Sequence, residues 1–531
     1  MPMFKNLVQI VLVIVLFNSC RKSLESDWDV DIESPIARST LNIQNFLGDT
    51  LFQTDPTGLL HLAFSKQIAG FQLDSLIKIP DTLIVDTFLV IPNFTVTPGQ
   101  TLPGFPQTQE VPFSINNGVE VRRIVMNNGI LKVKYTNTFT QPLTFSLTIS
   151  SAKKYGLPFT INETINPGAV GLTVNYDLSS YDIDMTGLLG NRVNTIGQTV
   201  NITSPLWAQT AVTQTGQKIK AEISYANLVP YYVEGYFGKQ TLTLPYDSVK
   251  IDIGNNITVN NLKINSAAIN FKIVNEFGVD INAQLSKIKS VNTLSNTTII
   301  LNSTGLSNLN INRAGKTNNF SNPVFPSVKT VSINTGNSNL KPFLENTPDY
   351  LAYSGTISIN PLGNVSGSND FAFLNTGINI YADVDLPLQI QANYFKLVST
   401  VKADLTSLKL LDDVNYGNLI LMATNGFPFT AVLQAYILDD KQIIIDSLFK
   451  VPGNTIDRGI INANNDVIQN VATKLLIPFD QNKIKNLKLC KFIKFVSQFN
   501  MPTSPPDVKI YESYDLDIIL SMDVNYKVRK K

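Results

Sequence analysis

Histidine is almost absent from this chain of 531 residues, which contains only His61. A zinc site built on several histidines is therefore excluded, and a Ser-His-Asp hydrolase would have to use this one residue. His61 lies in the middle of the alternating run Leu59–Phe64, a pattern typical of a β-strand. We therefore interpret it as a strand residue that faces solvent or a neighbouring side chain.

Cysteine is nearly as rare, with Cys20 and Cys490 far apart in the sequence. If Cys20 carries lipid, Cys490 has no partner for a disulfide, so disulfide bonds are not expected to stabilise the fold. Cys490 lies in the apolar segment Leu489–Ile493. In such a setting a free cysteine acts as a small buried hydrophobe and not as a nucleophile.

The chain also lacks an excess of either charge. It has 42 basic and 41 acidic residues, which gives a net charge of +1. This balance provides no long-range field that would attract phosphate backbones or anionic lipids, so nucleic acid is not an expected partner. Charged residues make up 16% of the chain, against about 25% in an average soluble domain. Such a composition is typical of neutral, strand-rich proteins.

Long hydrophobic runs are missing, except for Leu7–Phe17 near the N-terminus. This run is shorter than the roughly 20 apolar residues that span a bilayer, so no transmembrane helix is expected. Lys5 precedes it and Asn18-Ser19-Cys20 follows it, which is the three-part plan of a secretory signal. The chain is therefore predicted to be exported from the cytosol.

The segment Leu16–Cys20, with a cysteine directly after a small residue, resembles the lipobox of bacterial lipoproteins. The resemblance implies cleavage between Ser19 and Cys20, a thioether-linked diacylglycerol on Cys20, and a third acyl chain such as palmitate on the new amino group. At about 0.8 kcal/mol per buried methylene, two or more chains hold a protein on a membrane essentially permanently. The alternative is an ordinary signal peptide followed by a chance cysteine.

Two basic residues, Arg21 and Lys22, follow the cysteine, so the aspartate that retains many lipoproteins at the inner membrane is absent. This favours the outer membrane of a Gram-negative bacterium. An acidic stretch comes next and loosely resembles known surface-export signals, so the periplasmic and the external face both remain open. Its acidic residues are Glu25, Asp27, Asp29, Asp31 and Glu33.

The rest of the chain alternates short apolar or period-two runs with Gly, Pro, Asn and Asp turns, which predicts an all-β fold with very little helix. At roughly 100 to 200 residues per domain, we expect several antiparallel β-sandwich-like modules in tandem. The predicted ranges are a signal peptide at 1–19, a lipid tether at 20–34, an N-terminal β region at 35–110, β-sandwich modules at 111–250 and 251–400, and a C-terminal β module at 401–531.

Some local features can be predicted more closely. The segment Asp55–Gly58 has a proline that fixes φ and a glycine that permits positive φ, which predicts a first hairpin. The Pro-rich stretch Pro92–Pro106 indicates a linker or crossover. Asp480 could cap a helix of two turns at most over Gln481–Lys488. The predicted closing strands are Phe492–Phe499 and Val508–Tyr526.

One pattern recurs three times: a strand that ends in Asn, an Asn-x-Phe tripeptide, and a second alternating strand. An asparagine there suits an Asx turn or a left-handed conformation, and the phenylalanine can fold back onto the core. Repeated modules are therefore predicted. The three tripeptides are Asn137-Thr138-Phe139, Asn275-Glu276-Phe277 and Asn425-Gly426-Phe427. Asn369-Asp370-Phe371 and Asn393-Tyr394-Phe395 match the tripeptide without the same flanking strands.

This arrangement resembles the β-sandwich of the late-embryogenesis-abundant and water-stress (LEA14/WHy-like) family. The resemblance implies that each copy belongs to a sandwich of two sheets. It implies no function, because one fold can host many functions.

The sequence contains near matches to two catalytic motifs, but in each the residues have the wrong spacing. The tripeptide Gly315-Lys316-Thr317 lacks the glycine that a phosphate-binding loop needs five residues earlier, where Asn310 stands. The segment Gly363–Gly367 misses the spacing of a nucleophile elbow by one residue. Paired acids could serve a glycosidase or bind calcium, but hydrated turns are the simpler interpretation. These acids are Asp412-Asp413, Asp439-Asp440 and Asp182-Ile183-Asp184.

The most distinctive local string is Val233–Gly238, which follows Tyr231-Tyr232. Its glycines indicate a tight bend that brings aromatic side chains together, and core packing is favoured over ligand stacking. If they were exposed instead, Tyr231, Tyr232, Tyr236 and Phe237 could stack on sugars.

Five Asp-[Ser/Thr]-aliphatic tripeptides resemble the O-glycosylation acceptor of some Gram-negative bacteria. In a chain this rich in Ser and Thr, several chance matches are expected. The acceptors would be Thr50, Ser75, Thr82, Ser248 and Ser447.

These observations predict a non-enzymatic, lipid-anchored envelope protein with a structural, adhesive or complex-accessory role. Its expected partners are the membrane, through the lipid, and other envelope proteins; no cofactor or metal is expected. The alternative is a binding module for lipid, in a groove formed by long strands such as Val508–Tyr526, or for glycan. A polysaccharide hydrolase that uses carboxylates alone is a third hypothesis.

Overall fold

A computed structural model of the chain consists mainly of antiparallel β-sheets, with about 60% strand and 5% helix. The all-β prediction is confirmed. The structure describes residues 28–43, 52–89, 91–250, 257–260, 262–285, 287–317, 319, 321–392, 394–405, 414–449, 454–478, 481–501 and 508–528.

The strands are numbered in chain order. The first are β1 (Trp28–Leu41), β2 (Phe52–Thr54), β3 (Leu60–Gln72), β4 (Thr82–Leu89), β5 (Thr95–Val96), β6 (Gln107–Pro112), β7 (Glu120–Asn137), β8 (Leu143–Lys154), β9 (Leu157–Ile165), β10 (Val170–Asp177), β11 (Asp182–Asp184), β12 (Thr195–Thr203), β13 (Ala211–Val212) and β14 (Lys218–Tyr236). Next come β15 (Gln240–Lys250), β16 (Ile257–Asn260), β17 (Lys263–Ile264), β18 (Ala268–Asn275), β19 (Ile281–Gln284), β20 (Lys289–Asn292), β21 (Thr297–Ile300), β22 (Leu309–Ile311), β23 (Gly315–Lys316), β24 (Val324–Phe325), β25 (Ser327–Asn334), β26 (Tyr350–Ile359), β27 (Asp370–Phe373), β28 (Gly377–Pro387), β29 (Gln389–Gln391) and β30 (Tyr394–Lys402). The last are β31 (Val414–Asn425), β32 (Thr430–Leu438), β33 (Ile444–Ser447), β34 (Thr455–Ile456), β35 (Ile460–Ile461), β36 (Val467–Gln469), β37 (Val471–Pro478), β38 (Phe492–Asn500), β39 (Val508–Lys509) and β40 (Leu516–Val528).

Helix is confined to short segments in the described part of the chain. These are α1 (Leu73–Leu76), α2 (Leu340–Glu345), α3 (Gln481–Leu489) and a 3-10 turn at Thr304–Leu306. Helix α3 confirms the helix predicted over Gln481–Lys488 and is one residue longer. Among the described residues, no helix has the length and apolar character needed to cross a bilayer.

The chain divides into two compact units. Unit 1 contains the described residues of Met1–Leu62, Asp252–Asn265 and Pro387–Lys531, and unit 2 those of Ala63–Ile251 and Ser266–Leu386. Neither unit is one continuous segment, whereas the module ranges predicted from the sequence run consecutively.

Unit 1 is a sandwich whose first sheet has the strand order β1-β40-β31-β37 and whose second has β16-β30-β38-β32-β33. The two sheets meet where the hydroxyl of Ser39 in β1 donates to that of Ser399 in β30, at 2.9 Å. Alternate side chains of β40, including Leu516, Ile518 and Leu520, are fully buried. The predicted closing strand over 508–526 is in fact two strands, because the chain turns between Tyr511 and Tyr514.

The first strand of unit 1 begins earlier than the predicted end of the tether. Strand β1 pairs with β40 from Trp28 opposite Val528 onward, so residues 28–34 belong to a sheet. Asp29, Asp31 and Glu33 are exposed along β1. The acidic alternation therefore reflects the period of a strand whose outer face meets water.

Unit 2 contains a first sandwich, called sandwich A, formed by one ten-stranded sheet that folds over on itself. Strands β4, β14, β7 and β10 form one half, β6, β12, β8 and β9 form the other, and β27 pairs with the end of β14. Short strand β11 pairs with both β7 and β8. Tyr135 and Phe145 pack edge to face in the core, with ring centroids 5.2 Å apart. The Pro92–Pro106 stretch connects β4 to β6 in the opposite sheet, which confirms the predicted crossover.

The second sandwich of unit 2, sandwich B, has β3, β28, β18 and β25 in one sheet. The other sheet has the order β21-β20-β26-β19-β22, and β15 pairs with β26. Buried Ile273, Ile357 and Ile380 contribute to its core. Alternation of apolar and polar residues along these strands accounts for their one-sided burial.

The hairpin predicted at Asp55–Gly58 is present between β2 and β3. The Asp55 carboxylate accepts hydrogen bonds from the backbone N–H groups of Thr57 and Leu59 at 2.8 and 3.1 Å. Gly58 has a φ of 85°, a conformation that costs a glycine little. The local turn residues therefore determine this hairpin.

The three Asn-x-Phe copies adopt the same geometry, called here the Asn clamp. Each asparagine ends a strand, is fully buried and has a negative φ, so it forms an Asx turn and not the left-handed alternative. Each side chain accepts from the Phe N–H and donates to two carbonyls. The partners are Phe139 N (2.9 Å), Gln141 O (3.1 Å) and Ile165 O (2.9 Å) for Asn137; Phe277 N (3.0 Å), Val279 O (2.8 Å) and Asn312 O (2.9 Å) for Asn275; and Phe427 N (2.9 Å), Phe429 O (3.0 Å) and Asp457 O (3.0 Å) for Asn425.

The clamps confirm the predicted repeat and distinguish it from chance matches of the tripeptide. Asn369 is exposed and bonds locally to Ser366 O, and Asn393 lies outside the described residues. In two clamps the Phe carbonyl also accepts a bond, from Ala314 N and from Gly459 N. The equivalent position beside Asn137 is Pro167, which has no N–H to donate.

Candidate functional site

The aromatic string at the end of β14 is packed into the protein. A Cβ atom on Gly235 would lie 2.1 Å from the carbonyl oxygen of Glu120, and one on Gly238 would lie 2.4 Å from that of Asn117. These glycines let β14 approach the start of β7 closely. Phe237 is fully buried and Tyr232 is 6% exposed. Packing is therefore confirmed for these two rings, which form no exposed shelf for a sugar.

A buried carboxylate fixes the turn after β14. Asp370 is fully buried, and its Oδ2 accepts from Phe237 N at 3.0 Å and from Asn360 Nδ2 at 2.7 Å. Arg313 lies 3.7 Å from Asp370 Oδ1 and 3.0 Å from Asp280. A buried carboxylate needs such partners, because removing its charge from water is costly.

Beside this turn, Lys316 lies against the aromatic rings. Its ammonium is 2.9 Å from Glu234 and donates to the Tyr232 hydroxyl at 2.5 Å, which in turn donates to Glu234. The ammonium also lies 4.9 Å from the Phe371 ring centroid, within cation–π range. Lys316 therefore attaches the β23–β24 hairpin to sandwich A.

Electrostatics favour a charged Glu234 and a neutral Tyr232. Burial raises the pKa of Glu234, but hydrogen bonds from Tyr232 and Lys316 outweigh that effect and lower it overall. Burial and the bond to Glu234 raise the pKa of Tyr232. Arg123 pairs with Asp182 through two bonds of 2.9 and 2.8 Å. The charges are matched within the protein, so the cluster is a structural junction.

The strongest candidate for ligand binding is an open groove in unit 2, called the polar groove, with a volume of about 570 Å³. Tyr353 donates to Asp247 at 3.1 Å inside it, and burial together with this bond raises the pKa of Tyr353 to about 12. The groove is not evident from the sequence, because its residues come from three distant segments. They are Lys66, Gln67, Ile68, Ala69, Gly70, Asp247, Ser248, Lys250 and Tyr353.

His61 and Cys490 both lie in the surroundings that the sequence predicted. His61 lies on β3, half-buried, with Nε2 3.6 Å from Asp55, which confirms a strand residue facing a neighbour. Cys490 is 1% exposed. Burial raises the pKa of its thiol to about 11, as expected for an inert buried cysteine.

The acidic pairs differ from one another. Asp439 closes the turn between β32 and β33 by accepting from the N–H groups of Lys441 and Ile443, which confirms a turn role. Asp182 lies within strand β11 and pairs with Arg123, so it is not a turn residue. Exposed Asp184 ends that strand and accepts from the N–H of Thr186 at 2.9 Å, which agrees with a turn role. In the described residues, no group of three or more His, Cys, Asp or Glu side chains could hold a metal ion.

Possible glycosylation positions vary in exposure. Ser75 and Ser248 are exposed, Thr82 is half-buried, and the half-buried Ser447 hydroxyl donates to the carbonyl of Phe449. Several other residues singled out in the sequence lie outside the described residues: Ser19 and Cys20 of the lipobox, Thr50, Asp412-Asp413 and the Asp480 cap.

No protein-family model matches the chain, and no curated protein matches it. A candidate secreted protein from Parabacteroides distasonis ATCC 8503 aligns with 93% of this chain and 99% of its own, at 10% identity and a TM-score of 0.28. The infectious bursal disease virus Gx strain structure aligns with 86% of this chain and 83% of its own, at 10% identity and a TM-score of 0.12. Alignments with TM-scores this low carry no inference about fold or activity.

Proposed function

We propose that this chain is a non-enzymatic envelope protein, anchored by lipid on Cys20 to the outer membrane of a Gram-negative bacterium, with a structural, adhesive or complex-accessory role. The lipobox at Leu16–Cys20 supports the anchor. The observation that carries the non-enzymatic role is that side chains suited to catalysis are engaged in structural contacts. His61 faces Asp55, Cys490 is buried, and Asp182 pairs with Arg123.

The multi-sandwich fold also supports this role. Two sandwiches in unit 2 and one in unit 1 each contain an Asn clamp, which joins its own turn to one distant segment through buried hydrogen bonds. Buried apolar side chains form their cores, as along β40. Such rigid modules can present loops and sheet surfaces at a distance from a membrane.

The anchor is tested by the intact mass of the native protein, extracted from membranes with detergent, together with the sequence of its N-terminal peptide. We expect a triacylated peptide that begins at Cys20. The matched control is Cys20→Ser, which should retain the uncut signal segment and carry no lipid. An unmodified N-terminus at any other residue would contradict the anchor.

The role is tested by crosslinking intact cells and purifying the protein with its neighbours. We expect defined envelope proteins to be recovered with the wild-type chain, and a deletion strain to show altered envelope integrity. Recovery of no neighbour together with an unchanged envelope in the deletion strain would count against the role.

A second candidate function is glycan binding in the polar groove. The groove combines two exposed lysines, Lys66 and Lys250, with the Asp247 carboxylate and the Tyr353 ring, groups that can hydrogen-bond or stack on a sugar. Titration calorimetry with polysaccharide purified from the same envelope tests it. Lys250→Ala and Tyr353→Phe should each weaken binding about tenfold, whereas Lys341→Ala, on α2, should not. Equal affinities in all variants would exclude the groove.

A further inference from the structure

One end of sandwich A carries four loops that contain no charged residue. This loop end consists of the described residues in 91–106, 138–142, 166–169 and 204–217. The charge-free sequence extends into the adjoining strands, over 87–109, 135–152, 164–176 and 193–217, although 16% of the chain is charged. The opposite end of the same sandwich carries Arg123, Lys153, Asp182 and Arg192. Charge is therefore distributed very unevenly along this module.

Large apolar side chains project from the loop end. Leu206 is 84% and Trp207 69% exposed, and Ile91, Val170 and Val212 are exposed as well. One exposed apolar residue needs no explanation, but several on loops that hydrogen-bond to one another indicate a contact surface.

Backbone hydrogen bonds join these loops into one surface. Gly99 N donates to Ser204 O, and Ser204 N donates to Gln100 O, both at 2.9 Å. Val96 pairs with Ala211 in the β5–β13 ladder. Gln209 N donates to the Gln141 side chain at 3.4 Å. Much of the loop backbone is thus already paired, which lowers the cost of moving it out of water.

We propose that the loop end is a membrane-contact surface that inserts Leu206 and Trp207 into the headgroup region of a neutral lipid bilayer. Tryptophan favours this region, because its ring is apolar while its N–H can still hydrogen-bond. A charged side chain would oppose entry, and the loops have none. The inference rests on the proposed anchor, because lipid on Cys20 would hold the protein at a bilayer.

The lack of charge in these loops also indicates what kind of lipid they can contact. The loops themselves carry no charge, and exposed Lys218 stands at their border, where its backbone pairs with Thr138. Contact should therefore depend mainly on apolar burial and vary little with salt. Vesicles of phosphatidylcholine alone, which carry no net charge, are therefore a sufficient probe.

The sequence provides a sharp test, because Trp28 and Trp207 are its only tryptophans. In a Trp28→Phe variant of the full-length protein on phosphatidylcholine vesicles, Trp207 fluorescence should be quenched by a lipid that carries a spin label just below its headgroup. Aqueous iodide should quench it weakly. The matched control is Trp28→Phe/Trp207→Phe/Leu294→Trp, with its tryptophan at a 95% exposed position in sandwich B. Lipid quenching should be about threefold stronger for Trp207 than for this control.

A second variant, Leu206→Asp in the Trp28→Phe background, should lose most of the lipid quenching, because the new charge opposes insertion. Leu206 is exposed, so the fold should survive, and circular dichroism checks this. Iodide quenching of Trp207 equal to that of the control, with no lipid quenching, would overturn the proposal. An unmodified N-terminal peptide would contradict the anchor but not the membrane contact. In that case the quenching of Trp207 is measured after vesicles are added to the unanchored protein.

Discussion

At the scale of single residues, the buried asparagine of each clamp is the clearest link between sequence and stability. A buried amide is tolerated only when its donors and acceptor are all paired, and Asn275 pairs both Nδ2 hydrogens and its Oδ1. Removing the side chain leaves two carbonyls and one N–H without their partner. The cost should therefore exceed that of losing one hydrogen bond.

We expect Asn275→Ala to lower the free energy of unfolding of unit 2 by about 3–5 kcal/mol, because each buried group left unsatisfied costs about 1–3 kcal/mol. Asn369→Ala, in the same tripeptide pattern but exposed, should change it by about 0.5 kcal/mol at most. Urea unfolding followed by circular dichroism measures both. Similar losses in the two variants would show that the clamp is not the source of stability.

Cys490 provides a second prediction at this scale. Because burial raises the pKa of its thiol to about 11, only about one part in a thousand is thiolate at pH 8. We expect an aromatic disulfide reagent to leave Cys490 of the folded protein unmodified and to label it in urea. The control Cys490→Ser/Leu489→Cys moves the thiol to a 61% exposed position and should be labelled within minutes. Rapid labelling of folded wild-type protein at Cys490 would contradict its buried placement.

At the scale of elements, the long strands β7 and β14 pair along most of their length, and the end of β14 also pairs with β27. They pair from Ile219 opposite Asn137 to Tyr236 opposite Glu120, with register shifts between Ala226 and Tyr232 and at Gly235. The shifts redirect the end of β14, where Phe237 becomes buried. Close approach of the two strands at the glycines makes this end sensitive to any added side chain.

Gly238→Ala should destabilise unit 2 more than Gly118→Ala. Both glycines have similar positive φ values, 72° and 69°, so both alanines pay about 1 kcal/mol for a left-handed conformation. Only the Gly238 variant places its Cβ 2.4 Å from a carbonyl oxygen, while no atom lies within 4 Å at Gly118. We expect an additional loss of about 2 kcal/mol in urea unfolding. Equal losses would indicate that the turn moves freely.

At the scale of the whole molecule, the first and last described strands lie in one sheet. Strand β40 lies between β1 and β31, so it provides hydrogen-bond partners for both. Without it, both neighbours would expose unpaired edges, and the buried side chains of β40 would be missing from the core. Unit 1 therefore depends on the last described strand.

A chain that ends before Leu516 should fail to form the unit 1 sandwich, and its 414–500 segment should be cleaved rapidly in limited proteolysis. A chain that ends after Val528 retains β40 and should be as resistant as wild type. Resistance of the 414–500 segment in the shorter chain would show that β31 does not need β40.

The sequence alone determined features that depend on local pattern. Period-two alternation indicated strands, Asp55–Gly58 specified a hairpin, and the Asn-x-Phe tripeptides indicated the clamps, because a turn and a one-sided strand need only neighbouring residues. The apolar setting of Cys490 likewise indicated burial. The predicted lipobox, the resemblance to the water-stress family and the module ranges remain predictions.

Tertiary structure decided what joins distant segments. The pairing of Trp28 with Val528, the Lys316–Tyr232–Glu234 junction and the polar groove each bring together residues that lie far apart in the sequence. Alternation fixes which face of a strand is buried, but it does not specify the partner strand, because many strands share the same pattern. Even the charge-free segments are visible in the sequence, yet only the fold places them at one end of sandwich A.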